Sequence, residues 1–217
     1  RGIMIALIDY DAGNLLSVYK ALEYLDEKPC ITNNRKEILA ADRIILPGVG
    51  AYLDCMNKLR EYNLVDIIGE AVSMGKPFLG ICLGMQLLFE NSSEGENPDT
   101  TDDVYDAGMV RGLGLLKGTV RRFKPVPGFK IPHMGWNDIN ICGEKKLYKN
   151  IPDNEYVYFV HSYHCIPEDE KIIATTTEYS EKFVSSVEYK NVFGCQFHPE
   201  KSGLIGERIL ANFLSIE

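Results

Sequence analysis

The sequence predicts an α/β fold with three layers, α/β/α, in which helices cover both faces of a mostly parallel central sheet and a β-rich C-terminal half follows. Two patterns indicate this fold. In the first half, short and continuously apolar runs, typical of buried parallel strands, alternate with segments whose apolar residues recur at helical spacing. After residue 117, β-rich stretches predominate until one last helix. No linker interrupts the chain, so we expect a single domain over residues 4–217.

The first half supplies strands and helices in alternation. The predicted strands are 3–8, 29–32, 43–46 and 77–79, and the predicted helices are 14–25 and 64–74. The first helix follows a polar turn, and its apolar residues share one face. The third strand ends at the sequence Pro47-Gly48-Val49-Gly50.

A cysteine lies at the sharp turn after the fourth strand. The sequence Gly80-Ile81-Cys82-Leu83-Gly84 follows an apolar run and leads into a further apolar segment, Met85 to Phe89. Strand, turn and helix with a flanking glycine on each side form the nucleophile-elbow pattern, here with sulfur as the nucleophile. The N–H groups of the following helix would face the sulfur and favour its ionisation. The alternative is a buried cysteine that packs as a small apolar residue.

The second half is predicted from its β-rich stretches and one polar segment. Residues 91–106 are polar and acidic and lack periodicity, so we expect an exposed loop there. The predicted strands are 118–123, 129–131, 156–161, 171–177, 183–189 and 191–197, and the predicted final helix is 204–214.

The composition excludes several classes of function and location. The net charge of −8 argues against nucleic acid as the main partner. No apolar run is long enough to span a membrane, and the start lacks the apolar segment of a signal peptide, so we expect a cytoplasmic protein. The six cysteines have no C-x-x-C spacing and are predicted to be free thiols rather than disulfides or metal ligands. No metal or other cofactor is expected.

A cysteine nucleophile needs a base and a group that orients the base. Of the four histidines, His198 is the best candidate, because it follows a predicted strand where open α/β sheets gather their functional loops. Glu200 comes two residues later, across the stiff Pro199. The sequence therefore predicts a triad of Cys82, His198 and Glu200.

The reaction of such a nucleophile also needs donors for an oxyanion. The N–H of Leu83, directly after the nucleophile, is the usual first donor in an elbow. The glycines around Val49 and Gly50 would let one of those two N–H groups turn toward the sulfur. The alternative is an ordinary strand-to-helix turn, in which Pro and Gly are common.

These motifs resemble those of a known family. The elbow, with Gln196-Phe197-His198-Pro199-Glu200, resembles the class I glutamine amidotransferase domain, which has a flavodoxin-like fold. Three more stretches, together with the Pro47 to Gly50 turn, resemble the glutaminase subunits of imidazole glycerol phosphate synthases, of histidine biosynthesis; they are residues 8–15, 132–137 and 158–163. The resemblance covers residues 4–214, and the acidic segment 91–106 is longer than is usual in the family.

The resemblance implies a reaction and a partner. Cys82 would attack the side-chain amide of L-glutamine, His198 would pass a proton to the leaving ammonia, and water would release glutamate from the thioester. Gly50, Gln86, Ser162 and Tyr163 would bind the substrate. The ammonia would pass into a (β/α)8-barrel cyclase subunit, in a heterodimer, which forms imidazole glycerol phosphate and the aminoimidazole-carboxamide ribonucleotide.

Three residues are interface candidates. Trp136 lies in a Gly- and Pro-containing stretch, 132–138, that is predicted to be an exposed loop, and aromatic anchors are enriched at interfaces. Tyr10 and Asn14, on the first strand-to-helix turn, are candidates for the same reason. The alternatives are core packing for Trp136 and helix initiation for the other two.

Other functions fit parts of the pattern. A related glutaminase could supply ammonia to an amidotransferase that modifies surface sugars. A non-enzymatic binding module is disfavoured by the complete Cys82, His198 and Glu200 set. A free-standing cysteine hydrolase acting on another substrate is the remaining alternative.

Overall fold

The computed structural model describes residues 2–11, 14–94, 104–105 and 109–216, with only the backbone described at 104–105. The strands are β1 Ile5–Ile8, β2 Cys30–Thr32, β3 Arg43–Gly48, β4 Phe78–Cys82, β5 Phe89–Ser92, β6 Val104–Tyr105, β7 Met109–Arg111, β8 Leu116–Arg122, β9 His133–Ile141, β10 Glu155–His161, β11 Tyr163–Pro167, β12 Ile173–Glu178, β13 Lys182–Tyr189 and β14 Val192–Cys195. The helices are α1 Leu15–Tyr24, α2 Arg35–Ala40, α3 Tyr52–Glu61, α4 Leu64–Ser73, α5 Leu83–Gln86 and α6 Gly203–Leu214.

One mixed sheet organises the molecule. Its first five strands, in the order β2-β1-β3-β4-β14, are parallel. The sheet continues through β13, β11, β8, β5, β7 and β6, and all of these neighbouring pairs except β5 and β8 are antiparallel. Strands β9, β10 and β12 branch from it as antiparallel partners. The predicted fold class is confirmed: the parallel strands lie in the core, and the C-terminal half is β-rich.

Each face of the parallel strands is covered by its own set of helices. Along β3, Ile44 and Leu46 belong to one apolar core cluster and Ile45 to the other, as the two-residue repeat of a strand requires. Residues of α2, α3 and α4 complete the first cluster, and residues of α1 and α6 complete the second. Burial on both faces explains why these strands read as continuous apolar runs in the sequence.

Two sequence predictions about the second half are wrong. Residues 129–131 form no strand, because a turn with Gly128 at φ 92° precedes them and the strand begins only at His133. The stretch 132–138 is not a loop: most of it belongs to β9, which pairs with β10 so that Trp136 lies opposite Tyr158. Hydrogen bonds to β10 stabilise this stretch as a strand, although its Gly, Pro and polar residues favour a loop.

The predicted exposed loop at 91–106 is only partly described. Residues 91 and 92 belong to β5 and not to a loop, and residues 104 and 105 form β6. Residues 95–103 and 106 lie outside the described part of the chain. The apolar segment after the elbow is also shorter as a helix than its sequence suggests, because α5 ends at Gln86 and Phe89 begins β5.

Candidate active site

Cys82 is the last residue of β4 and adopts a strained backbone conformation, with φ 55° and ψ −113°. A non-glycine residue rarely occupies this region, and such strain is concentrated at functional sites. The flanking glycines are sterically required: a Cβ on Gly84 would lie 1.9 Å from the carbonyl oxygen of Leu46, and one on Gly80 would lie 2.5 Å from that of Gly84. The backbone geometry is therefore that of a nucleophile elbow.

The helix after the elbow is a single turn of four residues. Its macrodipole is correspondingly small, so the sequence-based argument that a helix N-terminus activates the thiol carries little weight here. Side chains around the sulfur must provide most of its electrostatic environment.

His198 and Glu200 form a buried pair beside the elbow. The Nδ1 atom of His198 lies 2.8 Å from the Oε1 atom of Glu200, and Pro199 begins the short 3-10 turn that joins them. Burial by itself would lower the pKa of His198, but interactions with Cys82 and Glu200 outweigh it and raise that pKa to about 10. The imidazolium form is thus stabilised next to the sulfur.

Besides its interaction with His198, the sulfur of Cys82 has two hydrogen-bond contacts among the described residues. The Nε2 atom of Gln196 donates to Sγ at 3.7 Å, and the carbonyl oxygen of Val160 lies 3.9 Å from Sγ. Cys82 is buried but borders an open cavity of about 340 Å³.

That cavity gathers the predicted site residues, which come from four distant parts of the chain. Its lining includes Cys82, His198, Val49, Gly50, Leu83, Gln86, Ser162 and Tyr163. Glu200 lies behind His198 and does not line the cavity. The structure therefore brings together at one cavity the residues that sequence motifs had selected separately.

Four lining residues were not predicted: Glu94, Pro132, Val160 and His161. Glu94 was assigned to an exposed loop, although it follows the buried Ser92 and its backbone N–H donates to the Ser92 hydroxyl at 3.1 Å. Burial raises the pKa of the Glu94 carboxyl. Its position depends on the pairing of β5 with β8, and the sequence around it carried no signal for that pairing.

Gln86 has one end of its amide fixed by the protein. Its Nε2 atom donates to the carbonyl oxygen of Tyr163 at 3.0 Å and to Oε1 of Gln196 at 2.9 Å. Both hydrogens of the amide nitrogen are therefore used, and only Oε1 of Gln86 can serve a ligand, as an acceptor.

The turn after β3 lies against the elbow. Gly48 is in register with Cys82 in the parallel pair β3–β4, and Gly50 has φ 103°. The thiol of Cys55 donates to the carbonyl oxygen of Val49 at 3.5 Å, which holds the peptide between Val49 and Gly50. The oxyanion roles of Val49, Gly50 and Leu83 stay predictions.

The interface candidates differ in exposure. Trp136 is 56% exposed, and its ring contacts Tyr158 edge-on with centroids 6.1 Å apart. Tyr10 is completely buried, and its hydroxyl donates to the carbonyl oxygen of Pro47 at 2.8 Å. Because it offers no surface to a partner, Tyr10 is removed from the interface hypothesis. Asn14 is partly exposed just before α1 and remains in it.

The described residues hold no group of three or more His, Cys, Asp or Glu side chains placed to bind a metal ion. All six cysteines are free thiols, as predicted. Within the same part of the chain, every helix is too short or too polar to cross a membrane.

Comparison with known proteins identifies the family of the chain. The family model of class I glutamine amidotransferases matches residues 6–216, so the chain belongs to that family. Its relatives include proteins named imidazole glycerol phosphate synthase subunit HisH. The one from Methanocaldococcus jannaschii is 48% identical over 98% of this chain and 100% of its own length. That from Thermosynechococcus vestitus is 45% identical, over 98% of this chain and 96% of its own length.

Solved structures support the fold alone. A structure of PurLQS from Thermotoga maritima has a TM-score of 0.72 and 20% identity, covering 99% of this chain and 98% of that one. A crystal structure described as a glutamine amidotransferase has a TM-score of 0.71 and 18% identity, covering 98% of this chain and 97% of that one.

Proposed function

We propose that this chain is the glutaminase subunit of an imidazole glycerol phosphate synthase, and that it hydrolyses glutamine through a thioester on Cys82. The observation that carries the proposal is the meeting of the Cys82 elbow with the buried His198–Glu200 pair at one cavity, in a chain of the amidotransferase family. A cysteine nucleophile beside an imidazolium is suited to acyl transfer from an amide.

In the first half-reaction the Cys82 thiolate adds to the amide carbon of glutamine. The N–H of Leu83, with that of Val49 or Gly50, stabilises the oxyanion that forms. His198 then donates its proton to the amide nitrogen, the carbon–nitrogen bond breaks, and ammonia leaves. The product on the enzyme is a γ-glutamyl thioester.

In the second half-reaction water attacks the thioester carbon, and the now neutral His198 takes the proton of the water. Collapse of the second oxyanion releases glutamate and returns the thiolate, with His198 again charged. Glu200 keeps the imidazole oriented and stabilises its charged form in both halves. Every step of this reaction uses only groups of the chain, glutamine and water.

The cavity can hold the amino-acid end of glutamine away from the sulfur. Glu94 and the free Oε1 of Gln86 are acceptors that suit the α-ammonium group. The carbonyl oxygens of Ser162 and Tyr163 already accept hydrogen bonds from the protein, so we assign substrate contact to the Ser162 hydroxyl and to backbone N–H groups along this wall and at Gly50.

The partner is proposed to be a (β/α)8-barrel cyclase subunit that receives the ammonia. Three exposed apolar side chains on β9 and β10, Met134, Trp136 and Tyr156, form a patch of the kind found at docking surfaces. We propose that this patch, together with Asn14, meets the cyclase. Six free thiols suit a reducing compartment, which supports the cytoplasm as the place of action.

Growth complementation separates this function from ammonia supply to a surface-sugar amidotransferase. The gene should restore growth without histidine to a strain that lacks its own glutaminase subunit, provided that the matching cyclase is expressed with it. The Cys82→Ala variant, produced at the same level, is the control and should not restore growth on low ammonium. If the wild-type chain also fails beside its cyclase, the histidine-pathway assignment is wrong.

A further inference from the structure

A continuous series of hydrogen bonds joins the sulfur of Cys82 to strand β9. We call it the polar chain, and its members are Cys82, Gln196, Gln86, the Tyr163 carbonyl, His161, His133 and Asn137. None of the glutamine and histidine side chains in it is more than slightly exposed. Buried polar networks of this kind are either fully satisfied or costly, so each orientation is constrained by its neighbours.

The direction of every bond follows from one carbonyl. The Tyr163 oxygen can only accept, so Nδ1 of His161, 2.8 Å away, carries a hydrogen. Burial lowers the pKa of His161 to about 3 and that of His133 to about 4, and both are therefore neutral at pH 7. Nε2 of His161 is then an acceptor, and Nδ1 of His133 must donate to it across 3.1 Å. Nε2 of His133 accepts from Asn137 at 3.4 Å.

The Tyr163 carbonyl also fixes the orientation of the two glutamine amides, Gln86 and Gln196. Gln86 must direct its amide nitrogen to Tyr163, and the second hydrogen of that nitrogen goes to Oε1 of Gln196. With its oxygen so engaged, Gln196 turns its own amide nitrogen to the sulfur. This donor favours the thiolate, as the His198 imidazolium does, whereas the carbonyl oxygen of Val160 suits only the protonated thiol.

We propose that Gln196 is a positioning residue for the thiolate of Cys82. The Tyr163 carbonyl sets the orientation of Gln196 through Gln86, and His161 and His133 hold that carbonyl in place. The register of the fold supports this role, because His133 and His161 are directly opposite each other in the β9–β10 pair. Asn137 is next to Trp136 on β9, so the polar chain begins beside the surface proposed above for the cyclase. Only that last connection rests on the proposed function.

The first test measures how the polar chain affects the reactivity of the Cys82 thiol, and it needs neither glutamine nor a partner. Alkylation of Cys82 by iodoacetamide, followed by peptide mapping, should slow about tenfold in Gln196→Leu and about threefold in His133→Phe, the sizes expected when hydrogen bonds to charged and neutral groups are lost. The alkylation rate of the double variant should equal that of Gln196→Leu within about a factor of two, because both substitutions interrupt the same series of hydrogen bonds.

His164→Phe is the matched control. His164 is buried in the same aromatic cluster and stacks on Phe123 at 4.7 Å, much as His133 stacks on Phe159 at 4.8 Å, but it is not a member of the polar chain. This control should leave the alkylation rate unchanged. Equal effects of the two histidine variants, or additive effects in the double variant, would overturn the proposal even if the chain is an active glutaminase.

A second measurement avoids substitutions. Nitrogen-15 spectra of the histidine-labelled wild-type chain, which has only four histidines, should show His133 and His161 neutral at pH 7 with the hydrogen on Nδ1. Alkylation of Cys82 should shift the His161 signals and leave those of His164 in place. The opposite tautomer on either residue contradicts the proposal.

Discussion

The Nδ1 atom of His198 lies 2.8 Å from the Oε1 atom of Glu200, and the two side chains are only 3% and 1% exposed. The other carboxylate oxygen of Glu200 has no hydrogen-bond partner among the described residues. Its negative charge is therefore balanced by the imidazolium of His198. This pairing is what makes a cationic acid available next to the cavity.

Replacing Glu200 by Gln should keep a hydrogen-bond acceptor for His198 but remove the charge. The pKa of His198 should fall, and kcat for glutamine hydrolysis in the presence of the cyclase should drop by about 100-fold, the scale of general acid–base catalysis. The partly exposed Glu207 on α6 provides the control, since Glu207→Gln should leave kcat unchanged. An E200Q variant with wild-type kcat would remove Glu200 from the triad.

Backbone strain at Cys82 can be measured with two inactive variants. Glycine tolerates φ 55° and ψ −113° better than alanine does, so Cys82→Gly should exceed Cys82→Ala in free energy of unfolding by about 1 kcal/mol. Denaturant unfolding of both variants gives the difference directly. If alanine is the more stable of the two, the elbow stores no strain at this residue.

The two Cys82 variants also test the route of ammonia. Both should abolish glutamine-dependent synthesis by the complex while leaving synthesis from added ammonium salt near the wild-type rate, because external ammonia bypasses the nucleophile. A parallel loss of both activities would mean that Cys82 supports assembly or the cyclase rather than glutamine cleavage.

Trp136 should contribute to cyclase affinity without contributing to the fold. Because its side chain is 56% exposed, Trp136→Ala should weaken cyclase binding by about 2 kcal/mol or more, the loss expected of an interface hot spot, at unchanged thermal stability. Met74, an exposed apolar residue at the end of α4, supplies the matched control for loss of surface apolar area. Titration calorimetry that gave equal affinities for the Trp136 and Met74 variants would exclude the β9 patch as the docking surface.

The buried neutral histidines predict an acid-labile fold. The pKa of His133 is lowered by burial to about 4, so between about pH 6.5 and pH 4 the unfolded chain binds a proton there that the folded chain does not. The contribution of such a histidine to the free energy of unfolding is complete above pH 6.5. It is lost as the pH falls toward 4, at about 1.4 kcal/mol per pH unit for each histidine. In His133→Phe the slope of unfolding free energy against pH should be smaller by that amount. Equal slopes in both proteins would show that His133 is charged in the fold.

The elbow and its neighbours could be predicted because their signals are local. The glycines at 80 and 84 are imposed by contacts within a few residues or with the adjacent strand, and His198 and Glu200 are two residues apart. The parallel strands could be predicted because burial on both faces makes their sequences continuously apolar. These features need little knowledge of the distant chain.

What escaped prediction depends on contacts between remote segments. Gln86 and Gln196 are 110 positions apart, and their hydrogen bond exists only because β4 and β14 are neighbours in the sheet. Strand β9 has the Gly, Pro and polar residues of a loop and becomes a strand through its pairing with β10. Glu94 lies in a polar segment whose first residues are held by β8. Tyr10 looked available in sequence but is enclosed under the turn at Pro47.

The most direct test of the account is a steady-state glutaminase assay of the wild-type chain, alone and with the cyclase subunit bound to its nucleotide ligand. The account predicts slow hydrolysis by the chain alone, strong stimulation in the liganded complex, and a stoichiometric γ-glutamyl thioester on Cys82 when the complex is quenched in acid. Full activity of the isolated chain with no response to the cyclase, or a thioester on any other cysteine, would contradict it.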